Sequence, residues 1–259
     1  MLHRPITRRS RAADTSRHAG ALALPILGIA ILGHRAFGME TEHAVALIAT
    51  AVLLGLTAIM TAVFGAAIVW ERGYRGGANA VRGFVYGLAA ITPALFALWG
   101  SLSYPRLADV TTDVLDPPLY RASAFARAGV MNSTRPPTVD LLTRQRAAYP
   151  DIVTRRFEIG SEQLFTAAKK VVQRSGWTVL EETRPREDGE RGRIEAEANT
   201  TIFGFADDVV LRILPESSGA RLDIRSSSRF GTHDLGANAR RIRAFLADLD
   251  FAVTESYGQ

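Results

Sequence analysis

Hydropathy gives the two halves of the chain different textures. From Ala19 to Ser103 apolar residues run on almost unbroken; beyond Tyr104 they recur singly, at strand or helix spacing. Ala44 to Trp70 is uncharged for 27 residues, more than the ~20 residues that a ~30 Å hydrocarbon core requires. Gly83 to Ser103 is a second such stretch, with Tyr86, Trp99 and Tyr104 near its ends as an aromatic belt. Pro93 lies inside it, where a lipid-embedded helix tolerates a kink. Ala19 to Gly33 is short and reaches spanning length only by continuing to Met39, with Arg35 reaching back to the interface. The pattern thus predicts three transmembrane helices, 19–39, 44–70 and 83–103, behind a basic tail 1–18. A signal peptide is the competing reading of the first helix, but no small-x-small site follows Gly33.

In the second half the period shortens to two. Val209, Leu211 and Ile213 alternate with Asp208, Val210 and Arg212; Leu222 and Ile224 alternate with Arg221, Asp223 and Arg225. Pro215 to Gly219 is turn chemistry, so the pair reads as a hairpin. Apolar-to-apolar pairing sets Ile213 against Leu222 and Leu211 against Ile224, which also puts Arg212 opposite Asp223. Leu235, Ala239, Ile242, Phe245, Leu246 and Leu249 then mark one face of a helix, with Thr232 or Asp234 as its N-cap. Upstream, Arg155–Ile159 reads as a strand, Ser161–Arg174 as a helix capped by Ser161, and Trp177–Glu182 and Arg193–Thr201 as strands around a charged loop, Arg184–Gly192. Tyr104 to Tyr149, punctuated by Pro105, Pro117, Pro118, Pro136 and Pro137, reads as irregular chain draped over the domain, with Asp109–Asp113 docking as a turn. The expected class is α+β. After the anchor (19–103) and the irregular segment (104–149) comes a domain (150–259) of order β-α-β-β-β-β-α, an antiparallel sheet packed by two helices.

Three stretches carry a resemblance: Gly204-Phe205-Ala206-Asp207-Asp208-Val209-Val210, Arg225-Ser226-Ser227-Ser228-Arg229-Phe230-Gly231, and Asp234-Leu235-Gly236-Ala237-Asn238-Ala239-Arg240-Arg241-Ile242. With Asp109-Val110-Thr111-Thr112-Asp113 as an entry motif, the chain from Tyr104 to Leu249 resembles the family numbered 1499 among domains of unknown function. The resemblance implies a domain boundary and no definite chemistry.

Charge changes the picture in one respect. The formal +5 suggests nucleic acid until it is divided. Residues 1–103 hold nine Arg against four acids, whereas residues 104–259 hold 22 basic and 22 acidic side chains. The excess belongs to the membrane half, so no nucleic-acid partner is expected. Five Arg precede the first helix and three lie between Glu71 and Arg82, but the His34–His43 loop has only Arg35. Three spans with the Arg-rich segments inside leave the domain outside the plasma membrane, in the periplasm where there is one. If 19–39 did not cross, the domain would be cytoplasmic, with three Arg on the wrong side.

Candidate chemistry is sparse. There is no Cys, and the five His form no i, i+4 pair, so no metal or cofactor is expected. Asp207 and Asp208 point to opposite strand faces and cannot readily share an ion. Ser226, Ser228, His233 and Asp234 offer hydrolase residue types without a nucleophile elbow. Arg225, Arg229, Arg240 and Arg241, with Asn238 at a helix start, could hold a carboxylate or phosphate. Alternatively, these arginines pair with Asp207, Asp208, Asp223 and Asp234. The candidate anion or partner site is therefore Arg225, Ser226, Ser228, Arg229, Asp234, Asn238 and Arg241. Two functions stand open: an outward-facing binding or scaffold module of the cell envelope that meets a protein partner, through one sheet face (Glu195, Glu197, Arg212, Asp223, Arg225) or the groove beneath the last helix, or an enzyme acting on an anionic small molecule. A transporter role has less support, because no span carries an ionisable group in its interior.

Overall fold

The structure, a computed structural model, describes residues 8–127, 131–185 and 191–257. The start of the basic tail, with Arg4, and the middle of the charged loop after Arg184 lie outside the described residues. The chain forms two compact units, Met1–Trp99 with Ile202–Gly204, and Gly100–Thr201 with Phe205–Gln259.

The first unit is built on α1 (Arg11–Ala36), α2 (Thr41–Arg72) and α3 (Gly77–Ser103), the last turn of α3 belonging to the second unit. All three are long and apolar enough to cross a membrane, and the chain is membrane-anchored. Each helix starts before its apolar stretch, but α1 ends at Ala36, short of the Met39 to which the first span was expected to run. The first begins at Arg11 because the Ser10 hydroxyl accepts from the Ala13 N–H, and it stops before Gly38, whose φ of 67° no helix continues through. Lipid tails are as apolar as the side chains, so close packing rather than hydrophobic burial joins such helices. Small residues provide the contact: Ala13, Gly20 and Ala23 on α1, and Ala51, Gly55, Ala58 and Gly65 on α2. A Cβ on Gly65 would come within 2.6 Å of the Ala13 N, and one on Gly87 equally close to the Gly55 carbonyl oxygen. Gly55 is likewise in tight contact with α3, whereas Gly33 meets only the Met39 side chain and Gly28 faces open space. Polar groups are satisfied between helices: the Ser16 hydroxyl donates to the Ala58 carbonyl at 2.9 Å and the Asn79 amide to the Asp14 carboxylate at 2.6 Å.

The second unit is the α+β domain that the alternation predicts. Its elements are β1 (Asp109–Thr111), α4 (Ala122–Ala126), α5 (Val139–Ala148), β2 (Arg155–Phe157), α6 (Ser161–Arg174), β3 (Thr178–Thr183), β4 (Gly192–Asn199), β5 (Ala206–Glu216), β6 (Gly219–Ser228) and α7 (Ala237–Tyr257). Every strand pair is antiparallel, in the order β1-β6-β5-β4-β3, and β2 shares the outer edge of β6 with β1. The β5–β6 register is the one apolar pairing demands: Leu211 with Ile224, Arg212 with Asp223, Ile213 with Leu222. The strands run on through Pro215 and Glu216, so the turn is Ser217-Ser218 alone.

Helices α6 and α7 cover one sheet face. Leu164, Phe165, Ala168, Val171 and Val172 of α6, and Ile242, Phe245 and Leu249 of α7, close over Ile194, Ala196, Val209, Leu211, Ile213, Leu222 and Ile224. Trp177 stacks on Phe245 with ring centroids 5.4 Å apart. The N-cap of α6 is Gly160, not Ser161, and the Gln163 side chain accepts from its N–H. For α7 the cap is Asp234: its carboxylate accepts from the Gly236 and Asn238 N–H groups, while Thr232 accepts from Arg106.

The opposite sheet face departs from the half-solvated pattern of an open antiparallel sheet. It carries Glu195, Asp208, Arg212, Asp223 and Arg225, all buried. Residues 112–127 and 131–135 cover it. This strap belongs to the segment expected to be irregular, and it lies across the domain as expected, but it contains real elements. Asp109–Thr111 is a strand on β6 rather than a docked turn, because three successive residues pair in register with Arg225–Ser227.

Candidate functional site

The sheet's pleat divides the candidate residues into two clusters. Successive residues of β6 point to opposite faces, so Arg225 faces the strap and Ser226 faces α7.

On the strap face Arg225 is wholly buried. Its Nε and Nη2 donate to the two oxygens of Asp109 at 2.9 and 2.7 Å, Nη1 donates to the Pro118 carbonyl, and Nη2 also reaches the Arg135 carbonyl. Tyr120 lies beneath the guanidinium, 4.7 Å from ring centroid to Cζ, and donates its hydroxyl to the Asp208 carbonyl. Burial, aided by the Asp109 charge and opposed by Arg225 and Arg127, pushes the Tyr120 phenol well above its ordinary value, so it stays a neutral donor. Asp208, fully buried, is held by two arginines: Arg127 Nε at 2.6 Å and Arg229 Nη2 at 2.7 Å. Arg229 also bridges to Glu197.

Further along the face Arg212 pairs with Asp223, as the register requires, and with Asp113 and Asp116 of the strap. Glu195 accepts from the N–H groups of Arg121, Ala122 and Ser123 at the start of α4, and from Arg193. Burial alone would raise the Glu195 carboxyl; the backbone donors and Arg193 outweigh it and hold the group below its usual range.

On the helix face Ser226, Asn238, Arg241 and Asp207 form a closed set. The Ser226 hydroxyl donates to Asn238 Oδ1 at 2.7 Å, Arg241 Nη1 donates to both, and Arg241 Nη2 donates to Asp207 at 2.5 Å. Asn238 Nδ2 reaches Ser228 Oγ and the Ala108 carbonyl. Asp234 is spent on the helix start, and burial raises its carboxyl despite the N–H groups of Asn238 and Gly236. Arg240 donates to the Leu235 carbonyl and lies over the Tyr104 ring.

The structure thus brings Ser226, Ser228, Asn238 and Arg241 together and sets Arg225 and Arg229 across the sheet from them. Of the pairings weighed for the arginines, Arg241–Asp207 and Arg229–Asp208 form; Asp223 goes to Arg212, and Arg225 finds Asp109. The face expected to meet a partner is occupied by the chain's own strap. Sequence reasoning did not reach Tyr120 and Arg127. The only signal for them was the equality of acids and bases in this half, which implies pairing but not with whom.

One surface feature lies at the edge of these networks. Beside edge strand β3, Phe125 and Ala124 of α4, Leu180 and Glu181 of β3, and Tyr120 and Arg121 line an open, mostly apolar groove. Phe125 is 93% exposed. A bulge between Val179 and Glu181 interrupts the edge there.

No curated protein matches the chain. A family model described as "Protein of unknown function (DUF1499)" matches residues 109–249, opening on the first residue of β1 and closing within α7. That match spans the sheet, the strap and both packing helices and takes in more than half of the sequence, and the chain belongs to this family.

Proposed function

We propose that the protein is a binding or scaffold module of the bacterial cell envelope, anchored in the plasma membrane with its N-terminus in the cytoplasm and its α+β domain on the outer side. The observation that carries the binding reading is the closure of the arginine networks. Each guanidinium nitrogen of Arg225 has an internal acceptor, and Arg229 and Arg241 are held by Asp208, Glu197 and Asp207. A site for an anionic substrate needs cationic heads that await a ligand. A binding module instead keeps its charges for its own fold and offers apolar surface. The groove at Tyr120, Phe125 and Leu180 is that surface, suited to an apolar segment of an envelope protein.

Arginine asymmetry supports the orientation: five in the tail and three in the α2–α3 connection against one between α1 and α2. Fusing the C-terminus to a reporter active only outside the cytoplasm, and separately to one active only within it, tests this directly. Activity of the first alone is expected; activity of the second alone overturns the orientation. For the binding role, the partner recovered with the detergent-extracted protein is lost with Phe125→Asp and kept with Arg225→Lys; the reverse pattern contradicts it.

A further inference from the structure

Arginines of the domain and of the anchor have opposite surroundings. In the domain Arg212, Arg225, Arg229 and Arg241 are each met by a carboxylate. In the helical unit Arg17 of α1 and Arg82 of α3 are exposed. Among the described residues neither guanidinium has an ion-pair or hydrogen-bond partner. The only acid of α1, Asp14, lies one turn before Arg17 and accepts from Asn79 Nδ2 at 2.6 Å.

Helix packing within this unit brings the two arginines to one place. A Cβ on Gly83 of α3 would be 2.7 Å from the Arg17 N, and one on Gly20 of α1 would be 2.8 Å from the Tyr86 Cβ. As α1 advances from Ser16 to Gly20 its contacts on α3 advance from Gly83 toward Gly87, so the two helices run parallel. Each residue is turned about 100° around a helix from the one before it. Arg17 is one step after Ser16 and Arg82 one step before Gly83. On parallel helices that face each other through Ser16 and Gly83, these opposite steps turn both side chains to the same side of the seam. Their level is set by the apolar runs: that of α1 opens at Ala19, two residues after Arg17, and that of α3 at Gly83, one residue after Arg82. Both cations therefore stand where hydrocarbon begins, with their stems along it and their heads in the headgroup layer. Tyr86, one turn deeper on α3 and half-buried, is an aromatic residue of the interfacial belt. Two guanidiniums turned into one groove repel unless an anion joins them. A phosphodiester does so with paired oxygens that match the arginine fork.

We propose that the groove between α1 and α3 binds the headgroup of an acidic phospholipid, its phosphate held between Arg17 and Arg82. Such a site needs only the membrane anchor; neither the domain's compartment nor the groove beside β3 enters it. The full-length protein is exchanged into neutral detergent micelles doped with phosphatidylglycerol or with phosphatidylcholine, and retained lipid is read by native mass spectrometry. Wild type should keep phosphatidylglycerol and release phosphatidylcholine. Arg17→Gln with Arg82→Gln should weaken retention by roughly fivefold for each arginine lost. Arg9→Gln with Arg75→Gln removes as much charge from the same end of the anchor, where the two residues pair through their backbones, and should leave retention unchanged. Arg17→Lys with Arg82→Lys should retain the lipid, since an ammonium also holds phosphate. Equal losses in the two glutamine pairs would mean a general charge effect, and loss in the lysine pair a packing defect; either overturns the site. Equal retention of phosphatidylcholine overturns it too. Displacement of the lipid by inorganic phosphate at matched concentration would reveal a free-phosphate site and overturn the lipid assignment.

Discussion

Arg225 and Asp109 are diagonal neighbours across the β1–β6 pair, and their two parallel hydrogen bonds join the edge strand β1 to β6. The guanidinium is fully buried, so its value depends on complete pairing; a buried charge left without a partner costs more than the pair contributes. Arg225→Ala, which orphans Asp109 and the carbonyls of Pro118 and Arg135, should lower unfolding stability by about 3–5 kcal/mol. Arg225→Lys should recover only part of this, since an ammonium cannot match a two-pronged carboxylate contact. The double variant Arg225→Met with Asp109→Leu should be more stable than Arg225→Ala alone. Denaturant titration of the three detergent-solubilised variants, followed by Trp177 fluorescence with Trp70 and Trp99 replaced by Phe, gives the order.

Gln145 of α5 acts on β1 as a missing strand would. Its Oε1 accepts from the Thr111 N–H at 3.0 Å and its Nε2 donates to the Thr111 carbonyl at 2.7 Å, with both residues buried. The outward-facing backbone groups of Thr111, at the end of a three-residue edge strand, are thereby paired. Gln145→Ala leaves two buried backbone groups unpaired and should cost about 1–3 kcal/mol for each. Gln145→Glu keeps the acceptor but sets a carboxylate against the Thr111 carbonyl, and should be no better than Ala. Amide exchange at Thr111, slow in the wild type, should become fast in both.

Two carboxylates, Glu195 buried and Asp234 half-buried, oppose one another in pH dependence. Glu195 titrates below its ordinary value in the fold, so its stabilisation is complete above the unfolded pKa and is lost as pH falls through the folded one. Asp234 titrates above its ordinary value, so its contribution is present below the unfolded pKa and lost as pH rises through the folded one. Glu195→Gln should therefore be less stable than wild type at neutral pH and lose less on acidification below about pH 4.3. Asp234→Asn should remove a loss that wild type shows as pH rises from the ordinary aspartate value. Melting temperature against pH for the three proteins checks both signs.

The legible parts of the fold were those that periodicity controls. Alternation fixed the β5–β6 register residue for residue, because a one-place slip would have exposed Leu211 and Ile224 and buried their neighbours. Periodicity also drew the helical faces of α6 and α7. It could not describe the strap, because Asp113, Asp116, Tyr120 and Arg127 dock through charge and hydrogen bonds, which leave no period in a sequence. Nor does alternation distinguish a solvated polar face from one covered by distant chain, so Arg212–Asp223 reads as a modest cross-strand pair and is in fact a buried network. At the candidate site, the rule that separates Asp207 from Asp208 also separates Arg225 from Ser226. Grouping those two by proximity in sequence overlooked the pleat.

The anchor provides a contrast between glycines. Gly87 and Gly55 face each other across α2 and α3, and a Cβ on Gly87 would lie 2.6 Å from the Gly55 carbonyl oxygen, a backbone atom that cannot move aside. Gly28, on α1, has nothing within 4 Å of its Cβ position and points toward lipid or solvent. Packing of small residues is what holds helices together where water cannot drive them. Gly87→Leu should therefore separate α2 from α3, lowering the detergent melting temperature and reducing cross-linking between cysteines placed on the two helices. Gly28→Leu, which adds apolar surface where there is room for it, should leave both unchanged. Equal effects of the two substitutions would mean that the α2–α3 contact is not what holds the anchor together.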